Sequence, residues 1–215
     1  MRHFINDELL ALNVMTVPVD QAIVAEFEPL TREAFDNARF ERVKPPWNSD
    51  VQWISGRTEK AFDLFQSAFD RMNIAQWVEP YVDFDNHIRL FGGFLVLRST
   101  CAAPSFHVDW LDGQNNGFTM LTPITDNSDG FGLVYKKLNG ETGEYRYRLG
   151  EALIVGSNFV HSTAPGRSDL PVALLSFTFG SDKEKHWDSL AATASNQSSL
   201  YRRFDGNFCR NDRAA

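Results

Sequence analysis

The chain has 215 residues, with 21 Lys and Arg against 28 Asp and Glu, for a net charge of −7. That balance excludes a general nucleic-acid or anionic-membrane binder, since either needs a basic face. Two cysteines are too few for a disulfide-stapled domain, and a hydrophobic fraction of 43% is enough for a core without such staples.

The N-terminal MRHFINDELLALNVMTV has acids inside its apolar run and no small-residue cleavage site, so it is a poor signal peptide. No stretch approaches the roughly 20 apolar residues that span a bilayer. A reduced, cytoplasmic setting is expected. Residues 20–39 carry helix formers, broken at Pro29, with a possible restart at Thr31, Glu33 and Ala34. KPPWNSD at 44–50 reads as a loop. In 57–78, Ala61, Leu64, Phe65, Ala68, Phe69 and Met72 recur at three- and four-residue steps and predict one amphipathic helix.

After Pro80 the texture changes to strands. Residues 87–100 read as a strand with a bulge or kink at Gly92 and Gly93, and 117–126 as a second. Residues 131–140 and 143–150 read as a hairpin closed at Asn139-Gly140. In its second arm Tyr145 and Tyr147 alternate with Arg146 and Arg148, as one buried and one wet face require. Residues 151–163 read as a strand pair with a tight Gly-Ser-Asn turn, and 171–180 as a last strand. The tail after 181 reads as loop and short helix. The expectation is a single mainly β domain over 1–215, of α+β type. It comprises a double-stranded β-helix (jelly roll, cupin-like) at 87–180, a largely helical flank at 1–80 and a tail at 181–215.

Within SFHVDW (105–110), His107 and Asp109 stand two apart, which in a strand places them on one face. His161, ending a later apolar strand, offers a third ligand. Two neutral imidazoles and one carboxylate form the facial triad of non-haem iron(II) oxygenases. A lone HxD is commonly structural. This one follows Pro104, precedes Asp112-Gly113 as at a sheet rim, and has a second histidine after an even series of strands. His3, His87 and His186 fit less well; His186 in KEKHWD reads as solvated.

HVDW (107–110) followed by GEALIVGSNFVHSTAPG (150–166) and a final apolar strand resembles the iron(II)/2-oxoglutarate-dependent oxygenases, most nearly their phytanoyl-CoA dioxygenase-like branch. The resemblance implies that His107, Asp109 and His161 bind Fe(II). It implies that 2-oxoglutarate and molecular oxygen are consumed, and that a small or medium organic molecule is hydroxylated with release of succinate and CO2. One departure stands out. The family usually grips the far carboxylate of 2-oxoglutarate with a cation about ten residues after the second histidine, where a planar guanidinium suits a bidentate grip. Here Leu170, Pro171 and Val172 occupy that place. Arg167, Arg98, Lys136 or Lys137 would have to substitute, the arginines by preference, with Ser176 and Thr178 adding hydroxyls. Trp110, Phe106, Phe118 and Tyr135 are candidate pocket walls, and Trp47 and Trp53 candidate lid residues. The missing cation leaves open a cupin-type metal enzyme that does not use 2-oxoglutarate, and a non-catalytic jelly-roll binding module. Neither substrate nor oligomeric state is legible.

Overall fold

A computed structural model describes residues 7–32, 38–44, 50–112, 114–126 and 131–211. In chain order, α1 (Asp7–Ala11), β1 (Val14–Pro18), α2 (Gln21–Ala25), β2 (Phe40–Val43), β3 (Val51–Gly56), α3 (Glu59–Arg71) and α4 (Ala75–Val78) precede β4 (Arg89–Cys101). There follow β5 (Gly117–Pro123), β6 (Leu133–Lys136), β7 (Thr142–Tyr145), β8 (Glu151–Val155), β9 (His161–Thr163) and β10 (Gly166–Gly180). The chain closes with α5 (Glu184–Gln197) and a small hairpin, β11 (Leu200–Arg202) and β12 (Phe208–Arg210).

The strands form an antiparallel sheet of order β1-β8-β5-β10-β4-β3-β2, opposed by a smaller sheet of order β7-β6-β9. This is the expected jelly roll with helices on its flank. The first 80 residues are less helical than their composition suggests. β1 pairs with β8 at one edge, and β3 pairs with β4 and β2 near the other. Both strands are short and lie beside helix-forming or proline-containing sequence, which hides their alternation. The restart at Glu33 and Ala34 lies outside the described residues, as do Trp47 and His3.

The predicted helix at 57–78 is two helices. Thr58 caps α3 by accepting the Ala61 N–H, and Asn73, at φ 51°, ends it in the left-handed region that a short polar side chain tolerates. Thirteen residues make a marginal helix in water. Its buried face of Ala61, Phe62, Phe65, Ala68 and Phe69 holds it on the sheet, each buried Phe contributing about 1.5–3 kcal/mol. A Cβ on Gly93 would lie 2.4 Å from the Phe65 ring, so glycine lets α3 approach β4 closely. The pairing irregularity expected at Gly92-Gly93 lies one step earlier, between the Thr178–Gly92 and Phe179–Leu90 pairs.

β6 and β7 form the expected hairpin, with Gly140 at φ 83°. The expected strand pair at 151–163 does not pair with itself. β8 belongs to the large sheet and β9 to the small one, and the chain crosses between them through Asn158 at φ 63°. The tail forms a 14-residue helix, α5, whose Leu190 and Ala194 pack on Phe91 and Trp110. His186 is not solvated: its Nε2 lies 3.0 Å from Asp83, in an ion cluster with Lys183 and Lys185. Asp182 accepts the backbone N–H groups of Asp85, Asn86 and His87, tying that loop to the end of β10.

The large sheet has two different faces. Ile54, Leu95, Leu97, Met120, Leu175 and Phe177 share the main core with α2 and α3. Residues of opposite parity, among them Trp53, Phe94, Val96, Arg98, Leu121, Leu174 and Ser176, line a cavity of about 540 Å³.

Candidate metal and cosubstrate site

His107, Asp109 and His161 converge at one wall of that cavity, their ligand atoms all within 4.8 Å of one another. Asp109 Oδ1 is 3.6 Å from His107 Nε2 and 4.0 Å from His161 Nε2. SFHVDW is not a continuous strand. It holds to the barrel by two isolated bridges, His107 to His161 and Trp110 to Ser157. In the first, each histidine donates its N–H to the other's carbonyl at 2.9 Å, so the backbone itself sets the ligands side by side. The Thr193 hydroxyl of α5 donates to the Asp109 carbonyl and fixes the third vertex.

Both rings have a defined tautomer. His107 Nδ1 lies 2.8 Å from the Ser105 carbonyl and His161 Nδ1 lies 3.0 Å from that of Phe159. A carbonyl only accepts, so each Nδ1 carries a proton, and the Nε2 of each ring is the atom that faces Asp109. Burial lowers the His161 pKa, against the opposing pull of Asp109, and keeps that ring neutral. Neutral nitrogen donors plus a carboxylate suit a divalent transition metal, and one carboxylate with two imidazoles leaves coordination positions open.

The candidate cations separate cleanly. Arg167 is exposed on β10 opposite Thr100, outside the cavity. Lys136 stacks 4.6 Å above Phe106 and donates to Thr142, while Lys137 pairs with Glu141. Arg98 alone among the described lysines and arginines lines the cavity. In the sheet register it stands opposite Val172, within the segment where the usual cation is missing. A register shift between Arg167 and Val172 pushes Leu170 out to solvent, so counting residues from His161 fails here.

Arg98 is buried, forms no ion pair among the described residues, and its Nε lacks a hydrogen-bond partner. Burial lowers its pKa, with Cys101, Asp50 and Tyr147 pulling the other way. Tyr147 also lines the cavity; burial raises its pKa, Asp109 adds to this and Arg98 opposes it, so the phenol feels both ends of the site. Ser176 lines the cavity with an unpartnered Oγ. Thr178 lies further along β10, donates to the Gly92 carbonyl and is not part of the lining.

The four aromatics expected as walls lie elsewhere. Phe118 is on the helix-facing side of β5, stacked on Phe179, because its neighbour Thr119 takes the cavity side. Trp110 is fully buried beneath α5, its indole N–H donated to Thr119. Tyr135 packs on Phe159 in the cluster with β8, and Phe106 is exposed under Lys136. The aromatic walls are Trp53, Phe94 and Tyr147. The alternation of Tyr147 with arginines marks it as facing inward, whereas Trp53, expected as a lid residue from the loop-like sequence before it, lies on β3 and forms a wall.

No family model and no curated protein matches the sequence. Solved structures match the fold. The non-heme alpha-ketoglutarate-dependent epimerase SnoN of nogalamycin biosynthesis aligns with a TM-score of 0.62 at 13% identity, covering 79% of each chain. HygX from Streptomyces hygroscopicus, solved with nickel and 2-oxoglutarate bound, gives 0.61 at 13% identity over 82% of this chain and 87% of its own. An oxidoreductase of the 2OG-Fe(II) oxygenase family from Burkholderia pseudomallei gives 0.59 at 10% identity over 80% and 86%. The chain has the fold of these proteins. That fold is common to many branches, so the phytanoyl-CoA-like branch rests on the sequence motif alone.

Proposed function

We propose that this protein is a non-haem iron(II)/2-oxoglutarate-dependent oxygenase that hydroxylates a small-molecule substrate with release of succinate and CO2. One observation carries the reading. A His-Asp-His triad with both Nε2 atoms turned toward Asp109 shares a cavity with the buried guanidinium of Arg98, which forms no ion pair among the described residues. Two fold neighbours support it, HygX holding nickel with 2-oxoglutarate and SnoN holding Fe3+ with alpha-ketoglutarate.

The residues present fit the groups. His107, Asp109 and His161 would hold the metal. Iron(II) there would supply open coordination positions and the redox chemistry by which oxygen, 2-oxoglutarate and a C–H bond become succinate, carbon dioxide and a hydroxylated product. Arg98 would grip the far carboxylate of 2-oxoglutarate from β4, a guanidinium matching a carboxylate's two oxygens. Tyr147 and Ser176 would add hydroxyl contacts in the same recess. The apolar floor of Phe94, Val96 and Leu174 keeps water from the site and holds the substrate near the metal.

The test is oxygen uptake and succinate release by the iron-loaded protein, with and without 2-oxoglutarate. Succinate above the iron-only background, absent from Asp109→Ala, is the expected result. A protein that binds iron yet yields no succinate is the cupin-type enzyme that the displaced cation leaves as the rival.

A further inference from the structure

The two histidines of the triad are held in different ways. The His161 ring is 6% exposed and stacks on Phe159, with centroids 5.2 Å apart and planes at 17°. Close packing restricts such a ring. The His107 ring is 50% exposed. It ends a segment, 102–107, in which every residue is exposed. Its ring neighbour among the described residues is His161 itself, tilted by 50° at 4.6 Å between centroids. Packing on one side leaves such a ring free to turn, so hydrogen bonds must set its orientation.

Those bonds form a chain that begins on β9. The buried Ser162 hydroxyl donates to the Thr163 carbonyl at 3.2 Å and accepts the Ser105 N–H at 2.7 Å. The Ser105 carbonyl then accepts from His107 Nδ1 at 2.8 Å. Other ties on the segment are looser. The Cys101 thiol, a weak donor, lies 3.7 Å from the Thr163 carbonyl, and Lys136 sits over the Phe106 ring. β9 thus acts twice: His161 offers a ligand, and the next residue fixes the loop that carries another. The consequence falls on one atom. In a neutral imidazole one nitrogen carries the proton and the other a lone pair. With Nδ1–H donated to Ser105, Nε2, 3.6 Å from Asp109, is the nitrogen left to bind a metal. A loosened Ser105 lets the exposed ring turn and exchange tautomers.

We propose that Ser162 is a positioning residue for the metal site, its hydroxyl anchoring Ser105 so that the Ser105 carbonyl holds His107 with Nε2 toward Asp109. The role in metal binding rests on the reading of the triad given above; the effect on the His107 ring does not.

Two variants test this. Ser162→Ala removes the acceptor, and Ser162→Cys fills nearly the same space with a sulfur that accepts only weakly. Long-range nitrogen–proton correlation NMR of the metal-free protein at about pH 8.5, above the usual imidazole range, reports which nitrogen of each ring carries the proton. In the unsubstituted protein both rings are expected to be protonated at Nδ1. In Ser162→Ala the His107 signals should move toward a mixture of tautomers, with Ser162→Cys in between, while His161 stays unchanged. Co(II), titrated under argon in competition with a chelating dye, should bind about two- to tenfold more weakly to Ser162→Ala, the worth of one hydrogen bond. A His107 tautomer unchanged in both variants overturns the proposal. So does a shift of both rings together, or variants that no longer fold, because the hydroxyl is then a general support of β9. An unchanged Co(II) affinity beside a shifted tautomer overturns it as well. If the unsubstituted protein shows both rings as expected and takes up no Co(II), the metal reading itself fails, and the role of Ser162 toward a metal falls with it.

Discussion

Replacing Arg98 by methionine keeps an unbranched apolar stem and removes the charged guanidinium. If the guanidinium grips 2-oxoglutarate, the substitution leaves a carboxylate buried against Phe94, Val96 and Leu174 with no counter-ion. Truncating one partner of a buried charge pair costs about 2–5 kcal/mol. At about 1.4 kcal/mol per decade, the dissociation constant for 2-oxoglutarate should rise roughly 30- to 3,000-fold. Stability should move the other way. In the unliganded protein Arg98 is only 9% exposed and its Nε has no partner. Its burial is therefore a cost to the fold, and a methionine removes that cost. The assay pairs calorimetric titration of 2-oxoglutarate into Fe(II)-loaded protein with thermal melts of the unliganded protein. Arg167→Met, altering an exposed arginine outside the cavity, is the control expected to change neither. The reasoning is refuted if Arg98→Met binds 2-oxoglutarate as the unsubstituted protein does. It is also refuted if the unliganded Arg98→Met melts several degrees lower, because then the guanidinium is a structural support.

Four further expectations follow from the same geometry. Dialysis and metal analysis should find about one equivalent of Fe(II) in the unsubstituted protein and none in Asp109→Ala or His161→Ala. Chelation should lower the melting temperature of the former only, since a ligand at 100 times its Kd stabilises by about 2.7 kcal/mol. Thr193→Val removes the hydroxyl that donates to the Asp109 carbonyl; a loss of about 0.5–1.5 kcal/mol should appear as a two- to tenfold weaker metal site, measured by competition with a chelating dye. Gly93→Ala drives a Cβ to 2.4 Å from Phe65 and should cost about 1–3 kcal/mol in urea unfolding, with 2-oxoglutarate affinity as a check that the cavity face is spared. Asp182→Asn should destabilise at neutral pH. Burial pulls this carboxyl up, but three backbone N–H donors and Asn86 outweigh it and hold its pKa below the ordinary value. The stabilisation is therefore present above the unfolded value of about 3.9 and lost as pH falls through the lower folded value. The stability gap between the two proteins should narrow below about pH 4, and a constant gap would show that the charge is not what matters.

The metal triad was legible because its signal is local in chemistry, even though it is remote in sequence. A histidine and a carboxylate two apart, then a histidine that opens β9, need one backbone bridge to meet. The cavity was not legible, because which residues line it depends on strand parity. One step along β5 separates Thr119, in the cavity, from Phe118, in the helix-facing core. Size and aromaticity favour Phe118 as a wall, and the pleat overrules them. The candidate cosubstrate cation shows the same limit. Arg98 and Val172 are neighbours only through the β4–β10 register. The bulge after Arg167 removes any fixed spacing from His161. The strands of the first 80 residues and the length of α5 were lost for a different reason. Short strands, and a helix whose alanines are diluted by Asp188, Ser189, Thr193, Ser195 and Asn196, carry weak local preferences, and the tertiary partners that select them lie far along the chain.

The mutual backbone bridge between His107 and His161 ties the candidate metal site to the folding of the barrel. Between them in the chain lie β5, the β6–β7 hairpin and the crossing from β8 to β9. The two ligands meet only when that long excursion returns to its origin. An ion held by both histidines would therefore need the finished fold and would find no such site in an open chain. A lesion anywhere along the excursion that leaves it unclosed would silence the centre while leaving every ligand in the sequence untouched. Metal content then becomes a reporter of conformational quality as well as of chemistry.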